Sequence, residues 1–476
     1  METAPVYLNG KFEVTEDSFD VINPGSGETI GRMSSVGRAR VREAIATASA
    51  AWPAWRGLTA LQRGGYINLA ADKISERSAE IADIITRENG KPLAQSKGEV
   101  AMTIDHFRWF AEEGRRAYGR IIPHQVEGKR HFAIKSPIGV VGAIVPWNFP
   151  LVLAARKAGP ALAAGCPVIL KAASNTPLCA AALAECMDAA GIPAGVFQLV
   201  AGPAQEIAAE FFSNPACRKV SFTGSTAVGK ELIRQSAETV TNLSLELGGH
   251  APVLVFADAD LDQAVEGAII TKFRNTGQSC IAANRIIVQD EIYNEFTQMF
   301  CRRIDQLVVG NGAEPGVDVG PLIDQSALDA AVRHIDESVR SGAELLRGGH
   351  PAQVSGGFFL EPTVLGRVPQ TAVCMREESF APIAPVSSFS TEEEGIEMAN
   401  DTEYGLAAYA YTSDLTRAFR LMERLEAGTV GINDAVPSTS QCPFGGVKQS
   451  GLGRELGIEG MDAYLETKHI SLGGIV

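Results

Sequence analysis

The segment from about Gly139 to Leu247 repeats a short apolar strand, a turn and an amphipathic helix, and this alternation constrains the fold of the chain most strongly. Strands that alternate with helices of this length predict an α/β fold with a parallel, doubly wound sheet. Such sheets bind ligands beyond the carboxyl ends of their strands. The predicted elements are the strands Val140–Val145, Pro167–Lys171, Phe197–Val200, Lys219–Phe222 and Leu243–Glu246 and the helices Pro150–Ala164 and Thr176–Ala190.

A second region of alternating strands and helices is predicted from about Gly248 to Gly446. Near Val436–Ser450 the chain becomes rich in Pro, Ser and Gly, which predicts a surface loop. The tail Tyr464–Ser471 alternates like a strand. The other predicted elements are the strands Val253–Phe256, Arg285–Gln289 and Thr429–Asn433 and the helices Leu261–Phe273 and Glu291–Leu307.

Composition and charge exclude several classes of protein. Of the 476 residues, 45% are apolar and 21% are charged, which is typical of a globular chain of about three domains. Acids outnumber bases by 56 to 42, and the net charge of −14 argues against nucleic acid or an anionic membrane as a partner. The run from Pro137 to Ala155 has the length of a membrane span, but Pro146 and Pro150 would break a lipid-exposed helix.

The cysteine and histidine patterns bear on compartment and metal content. The eight cysteines include no C-x-x-C pair and the seven histidines show no ligand spacing, so we expect neither a disulfide framework nor a metal site. The first five residues lack the basic and apolar regions of a signal peptide. A reducing, cytoplasmic location is therefore expected.

The segment Gly224–Lys230 is a near match to a phosphate-binding P-loop. The next residue is Glu231, where that motif needs a hydroxyl for Mg²⁺, so a nucleoside triphosphate site is not expected. The segment follows a strand and opens a helix, so its backbone N–H groups and a capping Ser225 can face a phosphate of another ligand. A plain strand-to-helix turn with a good cap is the simpler alternative.

Three segments carry candidate chemistry. Cys280 follows a turn with glycine at a predicted helix start, where the helix dipole would lower its thiol pKa; a buried, inert cysteine is the simpler alternative. Asn148, within P-W-N-F-P, can aim its amide into a pocket as an oxyanion donor or merely bond its own backbone. Glu246, at an apolar strand end before two glycines, can be a buried general base or an ion-paired glutamate.

The motifs P-W-N-F-P, F-T-G-S, L-E-L-G-G, G-Q-x-C, E-E-x-F and P-F-G-G-x-K-x-S-G-x-G occur in that order along the chain. Together they resemble the aldehyde dehydrogenase superfamily, from Val21–Pro24 to the C-terminal strand. The resemblance implies an atypical Rossmann nucleotide-binding domain at 1–119 and 140–247 and an α/β catalytic domain at 248–446. It also implies a small β oligomerisation arm at 120–139 and 447–476, with a hairpin near Arg120–Ser136, in a homodimer or homotetramer.

The resemblance also implies the roles of the candidate residues. Cys280 would attack the aldehyde carbonyl, and Asn148 with the backbone N–H of Cys280 would stabilise the oxyanion of the thiohemiacetal. After hydride transfer to a nicotinamide, Glu246 would activate water to hydrolyse the thioester. The positions that match cofactor contacts of the family are Ile144, Pro146, Trp147, Lys171, Gly224, Ser225, Glu378 and Phe380.

Ser174 bears on the choice between NAD and NADP. The family's usual Lys-Pro-Ser/Ala-Glu/Ser is Lys171-Ala172-Ala173-Ser174 here. A glutamate in place of Ser174 would bind the ribose hydroxyls of NAD and repel a 2′-phosphate. Ser174 lacks that charge and can donate to a phosphate near Lys171, so acceptance of NADP as well as NAD is predicted.

Within the superfamily, the chain most resembles succinate-semialdehyde dehydrogenases. Those enzymes bind the distal carboxylate with two arginines and a loop serine, which match Arg156, Arg274 and Ser438. Two guanidinium groups near the catalytic segments suit a carboxylate or sulfonate. We expect a short ω-anionic aldehyde as substrate: succinate semialdehyde first, with glutarate semialdehyde or a sulfonated aldehyde such as sulfolactaldehyde as alternatives. The resemblance is close in the segments Trp109–Gly114, Arg156–Leu162 and Lys272–Asn275.

A cofactor-free cysteine hydrolase is the alternative from another class. It needs a histidine beside Cys280, and the nearest in sequence, His250, has no supporting motif. Ala282 stands where some relatives of the family carry a second cysteine, so no disulfide switch is expected.

Overall fold

Five parallel strands form the centre of an eight-stranded sheet, as the alternating pattern predicts. The structure is a computed structural model that describes residues 2–474. The apolar strands are buried along their whole length, as expected when helices cover a parallel sheet. Two N-terminal strands and a short C-terminal strand extend the sheet by antiparallel pairing. In spatial order the strands are Gly451–Leu452, Asn242–Glu246, Cys217–Thr223, Val140–Ile144, Val168–Lys171, Phe197–Val200, Val6–Leu8 and Lys11–Glu13.

Proline and glycine set the ends of the helices that pack on this sheet. Helix Pro150–Ala164 begins with a proline, whose missing N–H needs no partner there, and ends at Gly165 with a left-handed φ of 99°. The next helix was predicted to begin at Thr176 but begins at Leu178, because Pro177 disfavours helical conformation in the residue before it. The helices of this half are Arg38–Gly57, Ala60–Glu76, Ser78–Asn89, Leu93–Glu113, Pro150–Ala164, Leu178–Ala189, Ala204–Ser213 and Thr226–Ala237.

A seven-stranded sheet forms the second region and contains the three strands predicted there, with ends shifted by one or two residues. In spatial order its strands are Glu344–Arg347, Thr363–Gly366, Ile383–Phe389, Ala283–Gln289, Ala251–Val255, Ala407–Tyr411 and Thr429–Ile432. The predicted helix Glu291–Leu307 is shorter, because Asp290–Ile292 is a 3-10 turn. The helices are Leu261–Phe273, Tyr293–Ile304, Gln325–Arg340, Glu392–Asn400 and Leu415–Arg424.

The predicted hairpin and C-terminal strand are confirmed as one antiparallel sheet of Arg120–Ile122, Lys129–Pro137 and Leu465–Gly473. Its C-terminal strand is exposed over nearly its whole length. The division of the chain into domains stays a prediction; Gly451–Leu452, within the segment assigned to the arm, pairs with the first sheet. The remaining elements are the strands Thr3–Ala4, Ser18–Ile22 and Thr29–Ser34 and the helix Gly457–Asp462. No helix among residues 2–474 is long and apolar enough to cross a membrane.

Candidate active site

Two cavities meet at Cys280 and Asn148, which line both of them. One, of about 40 Å³, also contains Arg156, Arg274 and Ser438 in its wall, and we call it the arginine cavity. The other, of about 290 Å³, lies beyond the carboxyl ends of the first sheet's strands, and we call it the strand-end cavity. A parallel sheet is expected to bind ligands at this edge, so the thiol lies between two compartments of different chemistry.

Cys280 is not at a helix start, which corrects the sequence-based expectation. The chain passes from the turn Arg274–Gly277 through Cys280 into a strand, so no helix forms there. Gly277 has a φ of 75°, and a Cβ at this position would lie 2.2 Å from the carbonyl oxygen of Ala381, so the turn requires glycine. Burial and the adjacent Glu246 carboxylate raise the pKa of the Cys280 thiol well above its usual value.

Glu246 is a buried carboxyl group that forms no salt bridge within residues 2–474. Its residue is 2% exposed, and burial raises its pKa to about 7, with the Glu455 carboxylate adding to the effect. The carboxyl group adjoins the Cys280 thiol, but neither of its oxygens has a well-formed hydrogen bond within residues 2–474. A carboxyl group whose pKa is raised to about 7 suits a general base, and the lack of a salt bridge within residues 2–474 argues against an ion-paired glutamate.

Asn148 is held by the loops around it. Its backbone carbonyl accepts hydrogen bonds from Lys91 Nζ at 2.6 Å and from Asn275 Nδ2 at 2.8 Å. Its own Nδ2 donates to the carbonyl oxygen of Gln278 at 3.1 Å. Because an amide nitrogen carries two hydrogens, one remains available to a ligand in the cavities that Asn148 lines.

The two arginines of the arginine cavity are held by aromatic rings and not by acids. The Arg156 guanidinium lies 4.4 Å from the Phe444 ring and donates from Nη2 to Ser438 Oγ at 3.2 Å. The Arg274 guanidinium lies 5.0 Å from the Phe149 ring. Within residues 2–474 neither forms a salt bridge, and burial lowers the pKa of Arg274. Two partly desolvated cations without carboxylate partners form a site for an anion.

The strand-end cavity contains six of the predicted cofactor residues. Trp147 and Phe380 face each other edge-on, with ring centroids 5.6 Å apart. Ser225 accepts a hydrogen bond from the backbone N–H of Val228 and caps the helix Thr226–Ala237, which confirms the predicted cap. Burial raises the pKa of Glu378 to about 8. The six residues are Pro146, Trp147, Gly224, Ser225, Glu378 and Phe380.

The other three predicted cofactor residues lie outside the wall of this cavity. Ile144 and Lys171 are opposite each other on neighbouring strands of the first sheet, and Ser174 is exposed three residues after Lys171. Burial alone lowers the pKa of Lys171 to about 8, and no carboxylate among residues 2–474 opposes the effect. A buried ammonium group that lacks an acid partner, close to an exposed hydroxyl, fits the sugar and phosphate groups of a nucleotide.

Residues 12–470 match the sequence model of the aldehyde dehydrogenase family. The chain belongs to this family. A glutarate-semialdehyde dehydrogenase from Pseudomonas aeruginosa is 50% identical over 98% of this chain and 97% of that protein. An NADP(+) succinate-semialdehyde dehydrogenase from Escherichia coli is 48% identical over 96% of this chain and 95% of that protein. The crystal structure of a succinate-semialdehyde dehydrogenase from Burkholderia pseudomallei, 46% identical, matches with a TM-score of 0.97 over 98% of each chain.

Membership of the aldehyde dehydrogenase family argues against the hydrolase alternative, and so does His250. Its Nε2 lies 3.1 Å from the carbonyl oxygen of Cys374, and burial lowers the pKa of its imidazole well below the usual value. Its Nε2 is therefore occupied by the backbone of Cys374 and not by the Cys280 thiol. The P-loop interpretation also gains no support, because Glu231 is bonded on the helix surface to Arg234 and Gln235.

Nothing in the sequence indicated three buried residues that contact Asn148, Arg156 and the helix Pro150–Ala164 from outside the two cavities. Lys91 and Glu99 form a fully buried ion pair at 2.6 Å, and Glu99 Oε1 accepts hydrogen bonds from the backbone N–H groups of Leu151 and Val152. His106 is buried beside Arg156. No motif marks these three residues, because the site residues that they contact lie 50 or more positions further along the chain.

Proposed function

We propose that this protein oxidises a short ω-anionic aldehyde to the corresponding acid with NAD or NADP, and that succinate semialdehyde is its substrate. The observation that carries the proposal is the position of the Cys280 thiol between the arginine cavity and the strand-end cavity. The two arginines of the first cavity form no salt bridge within residues 2–474. Glutarate semialdehyde is longer by one methylene, which discriminates by only about 1–3 kcal/mol. Because a sulfonate binds the same guanidinium groups, sulfolactaldehyde is the other alternative.

Cys280 is the nucleophile of this proposal. Since burial raises the pKa of its thiol, it needs a base, and the adjoining Glu246, with a pKa of about 7, can accept the thiol proton. Attack on the aldehyde carbon forms a thiohemiacetal, whose oxyanion can accept from the free Asn148 amide hydrogen and the Cys280 backbone N–H. The hydride of the thiohemiacetal carbon would pass to a bound nicotinamide cofactor, and a thioester would remain on Cys280.

Hydrolysis of the thioester is assigned to Glu246. With a pKa of about 7, Glu246 can release the proton taken from Cys280 to solvent. Its carboxylate can then take a proton from a water molecule that attacks the acyl carbon, and the thiolate of Cys280 leaves. Glu246 has no well-formed hydrogen bond within residues 2–474, so its lone pairs remain available to that water. The product is a free carboxylic acid.

Arg156, Arg274 and Ser438 are assigned to the anion at the far end of the substrate. The carboxylate that raises the pKa of Arg274 most is Glu99, and Glu99 is already paired with Lys91. An incoming carboxylate or sulfonate would therefore be the first acid partner of both guanidinium groups. A neutral fatty or aromatic aldehyde would leave two cations unpaired in a partly dry cavity.

The nicotinamide cofactor is assigned to the strand-end cavity and the adjoining strands. Trp147 and Phe380 would bound its ring, Glu378 would accept from a ribose hydroxyl, and Gly224 with Ser225 would face its phosphates. Ile144, Lys171 and Ser174 would contact the adenosine part. Since Ser174 carries no charge, we propose that the 2′-phosphate of NADP is accepted as well as the ribose of NAD.

The assembly and location are also part of the proposal. We propose a homodimer or homotetramer in which the exposed strand Leu465–Gly473 contributes to the contact. The division into nucleotide-binding, catalytic and arm segments is proposed as given by the family resemblance. The eight free cysteines support a reducing compartment such as the cytoplasm.

Reduction of the nicotinamide by purified protein tests this function. Both cofactors are assayed with succinate semialdehyde, glutarate semialdehyde, sulfolactaldehyde and butanal, an aldehyde without an anion. We expect turnover with both cofactors and a clear preference for the anionic aldehydes. Equal kcat/KM values for butanal and the anionic aldehydes would contradict the substrate class, and a preference for NAD by orders of magnitude would contradict the role of Ser174.

A further inference from the structure

The helix Leu93–Glu113 places a buried histidine against the outer side of Arg156. His106 is 2% exposed and lies outside the wall of the arginine cavity. Its Nε2 is 3.5 Å from Arg156 Nε. Together with the bond to Ser438 and the contact with the Phe444 ring, this gives the Arg156 guanidinium three supports, one from the helix Leu93–Glu113 and two from the loop that contains Ser438 and Phe444.

His106 belongs to a chain of hydrogen bonds that continues to the protein surface. Its Nδ1 lies 2.7 Å from the Oγ of Ser440, which is also buried. The Ser440 hydroxyl is in turn hydrogen-bonded to the carboxylate of Asp105, an exposed residue. Arg156, His106, Ser440 and Asp105 are thus linked in series.

The two ends of this series fix the direction of every bond within it. A guanidinium can only donate and an ionised carboxylate can only accept. The Nε2 atom of His106 must therefore accept from Arg156, and its Nδ1–H must donate to Ser440, whose hydroxyl donates to Asp105. Burial and the charge of Arg156 lower the pKa of His106 well below its usual value, so the imidazole is neutral and keeps an acceptor nitrogen.

We propose that His106 is a positioning residue that makes the arginine cavity selective for anionic aldehydes, by fixing the Arg156 guanidinium through its Nε. This inference rests on the proposed function, because only an anionic substrate needs Arg156 in a fixed orientation. Of the five N–H groups of an arginine, one is bound to His106 and one to Ser438, and the other three stay available to the anion. A guanidinium that is already ordered loses less side-chain entropy when the anion binds.

A matched pair of variants at His106 tests the proposal. His106→Leu keeps an apolar side chain of similar size but removes the acceptor, whereas His106→Gln brings an amide oxygen that can accept from Arg156. The readout is the ratio of kcat/KM for succinate semialdehyde to kcat/KM for butanal, which has the same carbon chain but no carboxylate. We expect His106→Leu to lower this ratio about tenfold through KM, the value of one charge-assisted hydrogen bond, and His106→Gln to restore most of it.

Arg156→Ala separates failure of this inference from failure of the proposed function. If Arg156→Ala leaves the ratio unchanged, the proposed recognition of an anion is wrong. If Arg156→Ala lowers the ratio and His106→Leu does not, or if His106→Leu slows both substrates by the same factor, only the role of His106 is overturned.

Ser440→Ala decides the matter if His106→Leu does not fold. This variant keeps the imidazole but removes the acceptor of its Nδ1–H and the link to Asp105. A lower ratio with a raised KM for succinate semialdehyde supports the series of bonds. An unchanged ratio overturns it.

Discussion

At the scale of single residues, the site is built from buried charged groups that form no salt bridge within residues 2–474. Arg156 and Arg274 lack carboxylates, and Glu246 lacks a donor with good geometry, within residues 2–474. An unpaired buried polar group lowers the stability of the fold. The substrate anion would provide the partner that the two arginines lack, and the reacting water the one that Glu246 lacks. The proposed function therefore explains why these groups are present although they do not stabilise the fold.

Substitution of the cavity arginines should affect anionic substrates selectively. Arg156→Ala or Arg274→Ala is expected to lower kcat/KM for succinate semialdehyde at least about 30-fold, since truncating one side of a buried charge pair has an effect of 2–5 kcal/mol. The loss should be largely in KM and much smaller for butanal. Arg108→Ala, which removes an exposed arginine paired with Asp72, is the control and should change neither value. A similar loss for both aldehydes in the arginine variants would contradict anion recognition.

The titration of Glu246 should appear in the pH dependence of turnover. A general base acts when deprotonated, so kcat is expected to rise with pH through about 7 in the wild type, where burial sets the pKa of Glu246. Glu246→Gln should lower kcat at least about 100-fold and lose this limb of the profile. Steady-state rates between pH 5.5 and 9 give the measurement. An unaltered limb in Glu246→Gln would assign it to another group.

At the scale of elements, the active site depends on how the helix Pro150–Ala164 begins. Glu99 accepts from two backbone N–H groups of its first turn, and Lys91 bridges Glu99 to the backbone carbonyl of Asn148. A carboxylate at a helix N-terminus also interacts favourably with the helix dipole. One buried ion pair thus connects Asn148, the proposed oxyanion donor, to the helix that carries Arg156.

Glu99→Gln should weaken both the fold and the reaction. It leaves the Lys91 ammonium buried without its anion, which is expected to lower the free energy of unfolding by about 3–5 kcal/mol. The loop of Asn148 should become less ordered, so kcat should fall for anionic and neutral aldehydes alike. Thermal unfolding and steady-state kinetics measure the two effects. Asp72→Asn, which breaks an exposed pair with Arg108, is the control and should leave both quantities unchanged. If Glu99→Gln retains the stability and the kcat of the wild type, the proposed link between this ion pair and the loop of Asn148 is wrong.

Elements with a strong local pattern were predictable, and those defined by distant packing were not. The helix Leu261–Phe273 and the strand Phe197–Val200 were predicted at their observed ends. The strands Thr363–Gly366, Ile383–Phe389 and Ala407–Tyr411 were missed. Parallel strands buried on both faces lack polar alternation, so they are recognised mainly by the helices between them, as Phe197–Val200 was. Only a 3-10 turn separates Thr363–Gly366 from Ile383–Phe389, so that signal is absent there.

The candidate site shows the same division between local and distant information. The chemistry-bearing residues were identified by motif, because Cys280, Asn148 and Glu246 lie in short segments of distinctive sequence. The helix start predicted at Cys280 was wrong, because the chain passes from the turn Arg274–Gly277 through Cys280 into the strand Ala283–Gln289. His106, Ser440 and Asp105 were not found, since their bonds join positions more than 300 residues apart in the sequence.

At the scale of the whole molecule, several buried carboxyl groups make stability depend on pH. Burial raises the pKa values of Glu88 and Glu246 to about 7 and that of Glu378 to about 8. The folded state therefore binds more protons than the unfolded state above about pH 4.5. By linkage, the contribution of these groups to stability is present at low pH and is lost as pH rises through 7 to 8.

Glu246→Gln should therefore stabilise the protein at alkaline pH while it lowers activity. Ionisation of a group whose pKa rises from 4.5 to about 7 on folding disfavours the fold by up to about 3 kcal/mol. The melting temperature of the variant relative to wild type is expected to increase between pH 5 and pH 8.5. Glu127→Gln, at an exposed position, is the control and should show no such trend. A difference that does not change with pH would contradict a raised Glu246 pKa.

The central claim is that Cys280 carries the acyl group of a short anionic aldehyde and that Glu246 releases it. The most direct test mixes Glu246→Gln with succinate semialdehyde and NADP and maps the modified peptide by mass spectrometry. We expect up to one equivalent of reduced cofactor per subunit, formed more slowly than by the wild type because the Cys280 thiol has lost its base, and a succinyl group that accumulates on Cys280 and is absent without cofactor. Reduction of the cofactor with Cys280 unmodified, or a succinyl group on another residue, would contradict the account.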